Sequence, residues 1–175
     1  MACSARRTAA DSVPIVLVPG FLGPAKEEST FDAKARLFQY WGEATKLSSA
    51  KTPVLCVWPS GLSSHHDRAC EIFYQIKGGV VDYGQEHSLQ FGHNRFGRKY
   101  RGEYRGWSKE NPIHIVGHSL GGATIRLLQH LLHIRAFPGH ADTSADWIVS
   151  LTAINAPLNG SLAAYALGEH EVNNK

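Results

Sequence analysis

The stretch Ile113–Arg126, Ile-His-Ile-Val-Gly-His-Ser-Leu-Gly-Gly-Ala-Thr-Ile-Arg, constrains this chain more than any other. An apolar run, Pro112–Val116, leads into a glycine-bracketed serine, and an apolar helical pattern follows. Gly117-His118-Ser119-Leu120-Gly121 matches G-x-S-x-G, in which a serine sits on a sharp turn between a strand and a helix. Glycines two before and two after the serine are needed because side chains there would strike the neighbouring strand and helix. Such a turn lifts a hydroxyl above the edge of a sheet, beside a helix N-terminus that stabilises developing negative charge. A chain with 17 glycines produces the bare pattern by chance. The flanking strand and helix patterns give it meaning and mark Ser119 as a candidate nucleophile.

The length of 175 residues suits one domain with a real core, and a net charge of +3 excludes a dedicated nucleic-acid binder. The densest basic run, Arg95, Arg98, Lys99, Arg101 and Arg105, is read as a solvated or salt-bridged loop rather than a phosphate-binding patch. Cys3, Cys56 and Cys70 have no metal-ligand spacing and are expected as reduced thiols. No apolar run reaches the roughly 20 residues that span a bilayer. No secretory leader is visible, although Arg6 and Arg7 among small residues hint at a transit peptide, and the compartment is left open.

In chain order, Val13–Val18 is a β-branched run expected to be a strand buried on both faces. It ends in Pro19-Gly20-Phe21-Leu22-Gly23, a loop that can offer the Phe21 amide to an oxyanion, with the Leu120 amide as second donor. Phe31–Leu47 reads as a helix interrupted at Tyr40-Trp41-Gly42, and Pro53–Trp58 as the next strand. Ser64, with Asp67 three residues later, opens a helix in the manner of a capping box; Ala69, Ile72, Phe73 and Ile76 form its apolar stripe and Gly78-Gly79 stops it. Gly79–Gly97 is polar and reads as a long loop that something must tie down. The helix after Ser119 carries Ala123, Leu127, Leu128, Leu131 and Leu132, and Trp147–Ile154 is a further buried strand. Strands alternating with helices imply an α/β fold with a mostly parallel sheet and the site at the strands' carboxyl ends. The domain is placed at 13–161, with flexible or weakly structured ends at 1–12 and 162–175.

Several segments resemble the zinc-containing thermoalkalophilic lipases of bacteria and their relatives. They are Pro14-Ile-Val-Leu-Val, Gly20-Phe21, Tyr40-Trp41-Gly42, Leu62-Ser63-Ser64 and Asp67-Arg68-Ala69-Cys70-Glu71. They continue with Gly78-Gly79-x-Val81-Asp82-Tyr83-Gly84, Gly92-His93-x-Arg95-Phe96-Gly97-Arg98, Ile113-His114-Ile115-Val116 and the serine turn. The resemblance covers Val13 to about Ser161 and corresponds to an N-terminal part of those enzymes. It implies an α/β-hydrolase-type fold, cut short after the strand that follows the helix beyond Ser119. It also implies a structural zinc, with Asp67, His87 and His93 as three of four ligands. The family's fourth ligand, a downstream Asp, has no counterpart before Lys175, and its lid helix and calcium site would fall beyond that residue. The sequence departs from the family in Pro19 for a His, Gly117 for an Ala and Leu120 for a Gln; the oxyanion contacts use main chain and tolerate these changes.

The resemblance implies a serine lipase or esterase acting on carboxylic esters such as acylglycerols through Ser119. No triad Asp or His is assigned. Asp142 and Asp146 precede the last strand, His118 points away from its neighbour Ser119, His140 lies before the last strand, and His170 lies in the tail. The alternative is a truncated, catalytically inactive hydrolase module or a metal-binding or interaction domain. The expected partners are a lipid or ester substrate and a completing C-terminal segment or chain, with no nucleic acid.

Overall fold

Val16, Leu17 and Val18 are buried where four parallel strands meet, as a continuous β-branched run requires. They belong to β1 (Ile15–Val18), which lies beside β2 (Val54–Cys56) on one side and β5 (Ile113–His118) on the other. A computed structural model provides the coordinates; it describes residues 13–23 and 40–162. The four-stranded sheet runs β2-β1-β5-β6, with β6 at Ile148–Ile154, and every neighbouring pair is parallel. The strand expected to be buried at Trp147–Ile154 is instead the sheet's edge among the described residues, and beyond Ile148 it is largely exposed. In register, Val18 faces Gly117 and His118 faces Ile154, so the carboxyl ends of β1, β5 and β6 come level at the serine turn.

Two helices build the core against this sheet: α1 (His65–Lys77) and, after a shorter α2 (Gln85–Phe91), α3 (Leu120–His133). Ser64 caps α1, its hydroxyl accepting from the Asp67 amide at 3.1 Å, and Gly78 at φ 90° ends it. Ala69, Ile72, Phe73 and Ile76 meet Ile125, Leu128 and Leu132 in one cluster. Phe73 stacks on Phe137 with centroids 3.8 Å apart. Trp107 donates its indole N–H to the Trp147 carbonyl at 2.9 Å, closing the far end of the core.

The expected loop needs correction. Gly79–Gly97 is not a plain loop: β3 (Gly79–Asp82) and β4 (Phe96–Tyr100) pair antiparallel, with α2 between them. The ribbon has almost no buried face along β4, so the period-2 signal of a strand is missing. The tie comes from Arg95, whose guanidinium grips Asp82 with two bonds of 2.8 and 2.7 Å. That pair also accounts for the head of the basic run as salt-bridged. Of the helix expected over Phe31–Leu47, the described part is α-helical at Tyr40 and Trp41 and continues as a 3₁₀ helix at Gly42–Leu47, while residues 31–39 lie outside the described residues. The terminal stretches 1–12 and 163–175, with Cys3 and His170, also lie outside them. Cys56 and Cys70 are free thiols; burial pushes Cys56 up to about 11 and Cys70 further up. Among the described residues no helix is long and apolar enough to cross a membrane.

Candidate active site and metal centre

The turn between β5 and α3 holds Ser119 at φ 54°, ψ −128°. A non-glycine residue at positive φ carries strain that the surroundings must hold, and here they do. The Ser119 amide donates to the Ile154 carbonyl at 2.8 Å, and the Gly122 amide donates to the Ser119 carbonyl at 2.9 Å. The glycines around it leave no room for a side chain. A Cβ on Gly117 would stand 2.5 Å from the Gly121 carbonyl oxygen, and one on Gly121 would stand 2.5 Å from the Val18 oxygen. A Cβ on Gly122 would stand 2.4 Å from that of Ala156. The G-x-S-x-G spacing therefore records close backbone approach on both sides of the turn.

Opposite Ser119 runs the loop after β1. Gly20 packs against the serine, and Phe21 and Leu22 beyond it are exposed. Among the described residues, the amides of Phe21 and Leu120 have no hydrogen-bond acceptor. Leu120 opens the first turn of α3, where backbone N–H groups point outward and the helix end carries partial positive charge. No imidazole or carboxylate among the described residues bonds the Ser119 hydroxyl. His118 turns elsewhere, its Nδ1 2.7 Å from the Tyr40 hydroxyl, which itself accepts from the Gly20 amide at 2.6 Å.

Arg68 holds the same loop from below. It is fully buried, and its guanidinium donates to the carbonyls of Pro19 at 2.7 Å and of Ser60, with the Thr124 hydroxyl at 3.3 Å. Burial lowers its pKa, opposed by Glu71. Neither Tyr40 nor Arg68 was singled out by sequence reasoning. Arg68 carried a usable signal: it lies four residues before Ile72 on the buried stripe of α1, where a charge demands several acceptors.

A second cluster lies where α1, α2 and the turn after α2 meet. Asp67 Oδ1 stands 3.0 Å from His87 Nε2 and 3.7 Å from His93 Nε2. The three residues expected to share a metal do converge. The structure adds a fourth, His66, whose Nδ1 is 3.7 Å from the same oxygen and whose ring stacks on His87 at 3.7 Å. Ligand atoms of His66, Asp67 and His87 all lie within 4.8 Å of one another, a group able to hold a metal ion. Burial lowers the His66 pKa, with His87 adding to the effect. His93 Nε2 is buried with no hydrogen-bond partner. A cavity of about 300 Å³, lined in part by His66, Cys70, Asp82, Tyr83 and His87, opens beside the cluster rather than beside Ser119.

Residues 11–137 match the family model described as lipase-like, C-terminal domain, and the chain belongs to that family. Among curated relatives, it is 35% identical to a lipase of Staphylococcus hyicus over 89% of its own length and 26% of the relative's. It is 34% identical to lipase 2 of Staphylococcus aureus over 90% of its length and 25% of that protein. The solved structure of EstA from Clostridium botulinum superposes with a TM-score of 0.73 at 36% identity, covering 92% of this chain and 40% of that one. Lipase 1 from Pelosinus fermentans gives 0.67 at 33% identity, covering 90% and 44%. The chain thus spans about a quarter of the length of the curated relatives it matches.

Proposed function

We propose that this chain carries the nucleophile and oxyanion-binding part of an α/β-hydrolase-type serine esterase that acts on carboxylic esters such as acylglycerols. Ser119 Oγ attacks the ester carbonyl and forms an acyl-enzyme, while the Phe21 and Leu120 amides hold the oxyanion as it develops. The alcohol leaves, and water releases the acid. A histidine must take the serine proton and return it to the leaving alkoxide, and the described residues place none there, so base and acid come from outside them. The positive φ of Ser119 between a parallel strand and a helix carries this reading, supported by the free Phe21 and Leu120 amides.

The test is p-nitrophenyl butyrate hydrolysis by the chain and by Ser119→Ala, side by side. Turnover is expected to be slow, because a serine hydroxyl without an adjacent base is a weak nucleophile. It is expected to fall to background in the variant. Equal rates in both would reject Ser119 as the nucleophile.

Asp67, His87 and His93 are proposed to hold a structural zinc. Nitrogen and carboxylate donors suit that ion, and the buried, unpartnered Nε2 of His93 is the observation that fits an absent cation. Bound there, zinc would supply no chemistry to the ester; it would join the start of α1 to α2 and the turn after it.

A further inference from the structure

We propose that Tyr40 is a positioning residue for the oxyanion site. Its hydroxyl pins the Gly20 amide, so that the Phe21 amide is aimed at the oxyanion, and holds His118 as the Nε2–H tautomer. The inference rests on the Ser119 reading and names what aims one of its two donors.

The loop after β1 has spent its other N–H groups. Pro19 has none, and the buried Gly20 amide donates to the Tyr40 hydroxyl at 2.6 Å. The Leu22 amide donates to the Gly61 carbonyl and the Gly23 amide to the Gly20 carbonyl, both at 3.2 Å. Among the described residues, Phe21 alone in this loop keeps an N–H without an acceptor. Its direction is therefore set by its neighbours, and Gly20 is the one that packs against Ser119. The Tyr40 bond is the link nearest the serine.

Proton accounting extends the link to the other side of the site. A phenolic hydroxyl has one proton to give and lone pairs to accept with. It accepts from Gly20, so its proton goes to His118 Nδ1, 2.7 Å away. His118 then carries its own proton on Nε2. The opposite tautomer would aim two N–H donors at one oxygen and leave the hydroxyl proton without an acceptor among the described residues. The Tyr40 ring is fixed edge-on to the buried Trp58 at 6.3 Å and 90°, and to His118 at 5.7 Å and 71°. His118 closes β5 one residue before Ser119, so one oxygen joins the loop to the serine turn.

The experiment compares the whole chain with Tyr40→Phe, which keeps the ring and removes only the hydroxyl; circular dichroism and thermal melts verify folding. Long-range proton–nitrogen spectra of histidine-labelled protein are recorded at about pH 8.5, well above the usual imidazole value of about 6.5. A His118→Gln sample identifies the His118 signals by their loss. The wild type is expected to show one His118 tautomer, protonated at Nε2, and Tyr40→Phe a mixture of both. In Ser119-dependent p-nitrophenyl butyrate release, Tyr40→Phe should lower kcat about ten-fold and leave KM within about two-fold, because a misaimed donor weakens only the transition state and costs less than a deleted one. A wild-type His118 protonated at Nδ1 would overturn the Tyr40 assignment whatever the variant does. An unchanged tautomer or an unchanged kcat in Tyr40→Phe would do the same, and Ser119 would still stand as the nucleophile. Equal release by the wild type and Ser119→Ala would overturn both.

Discussion

A Cβ placed on Gly20 would stand 2.7 Å from the Cβ of Ser119 and 3.1 Å from its hydroxyl oxygen. The loop after β1 and the serine turn are therefore fitted to each other at a single missing side chain, although 99 positions of sequence separate them. Gly20→Ala is expected to push the turn and loop apart. A shift approaching 1 Å at a reacting atom costs roughly a hundred-fold, whereas overpacking costs about 1–3 kcal/mol of stability. Ser119-dependent ester release should fall at least about ten-fold while urea unfolding remains cooperative. An unchanged rate would mean that the two loops do not meet during turnover.

Arg68 supports that contact. With its guanidinium shared among the Pro19 and Ser60 carbonyls and the Thr124 hydroxyl, Arg68→Met leaves buried acceptors without donors. The expected loss in urea unfolding is about 1–3 kcal/mol for each buried acceptor left unsatisfied. A loss below about 1 kcal/mol would show that water reaches these carbonyls.

The Asp82–Arg95 pair sets an acid limit for the ribbon. The hydrogen bond from Arg95 holds the Asp82 carboxyl below the usual carboxylate range; burial opposes it, and the Gly84 amide adds to the lowering. A carboxyl depressed in the folded state contributes stability above its unfolded value, about 3.9, and loses it as pH falls through the folded value. Asp82→Asn should therefore be less stable than the wild type by a constant margin above about pH 5. The margin should shrink below about pH 4. Denaturant unfolding followed across this range checks it, and a margin independent of pH down to 2 would contradict it.

What could be read from the sequence, and what could not, divides along physical lines. β1 and β5 were legible because buried parallel strands are nearly continuous apolar runs, β6 was legible as a strand but not as the exposed sheet edge it is, and α1 was legible because Ser64, its stripe and Gly78 each act locally. The convergence of Asp67, His87 and His93 was also anticipated, through the family resemblance and not through any local signal. The β3–β4 ribbon was missed because Phe96–Tyr100 is largely exposed and carries no alternation. Tyr40 and Arg68 were missed because their roles are contacts across 20 to 78 positions. His66 was passed over since nothing in His65-His66-Asp67 says which imidazole turns towards the carboxylate. One stacks on His87, while His65 Nδ1 lies 3.0 Å from the Thr124 hydroxyl.

Metal loading provides the last test, because the cluster joins elements that little else joins. α2 is only 7 residues long, with Ser88 as its one buried residue, so packing alone holds it weakly. A ligand that binds only the folded state stabilises it by about 4 kcal/mol at a thousand-fold excess over its dissociation constant. For a domain of this size each kcal/mol moves the midpoint by roughly 2–4 °C. Saturating zinc is therefore expected to raise the thermal midpoint by on the order of 10 °C, and a chelator to reverse the gain. Asp67→Asn should abolish most of the shift, because the central carboxylate becomes a weak neutral donor, while the apo protein still folds. Hydrogen exchange should locate the gain at α2 and the first turn of α1. A zinc-induced rise equal in the wild type and in Asp67→Asn would place the metal elsewhere and withdraw this cluster as its site.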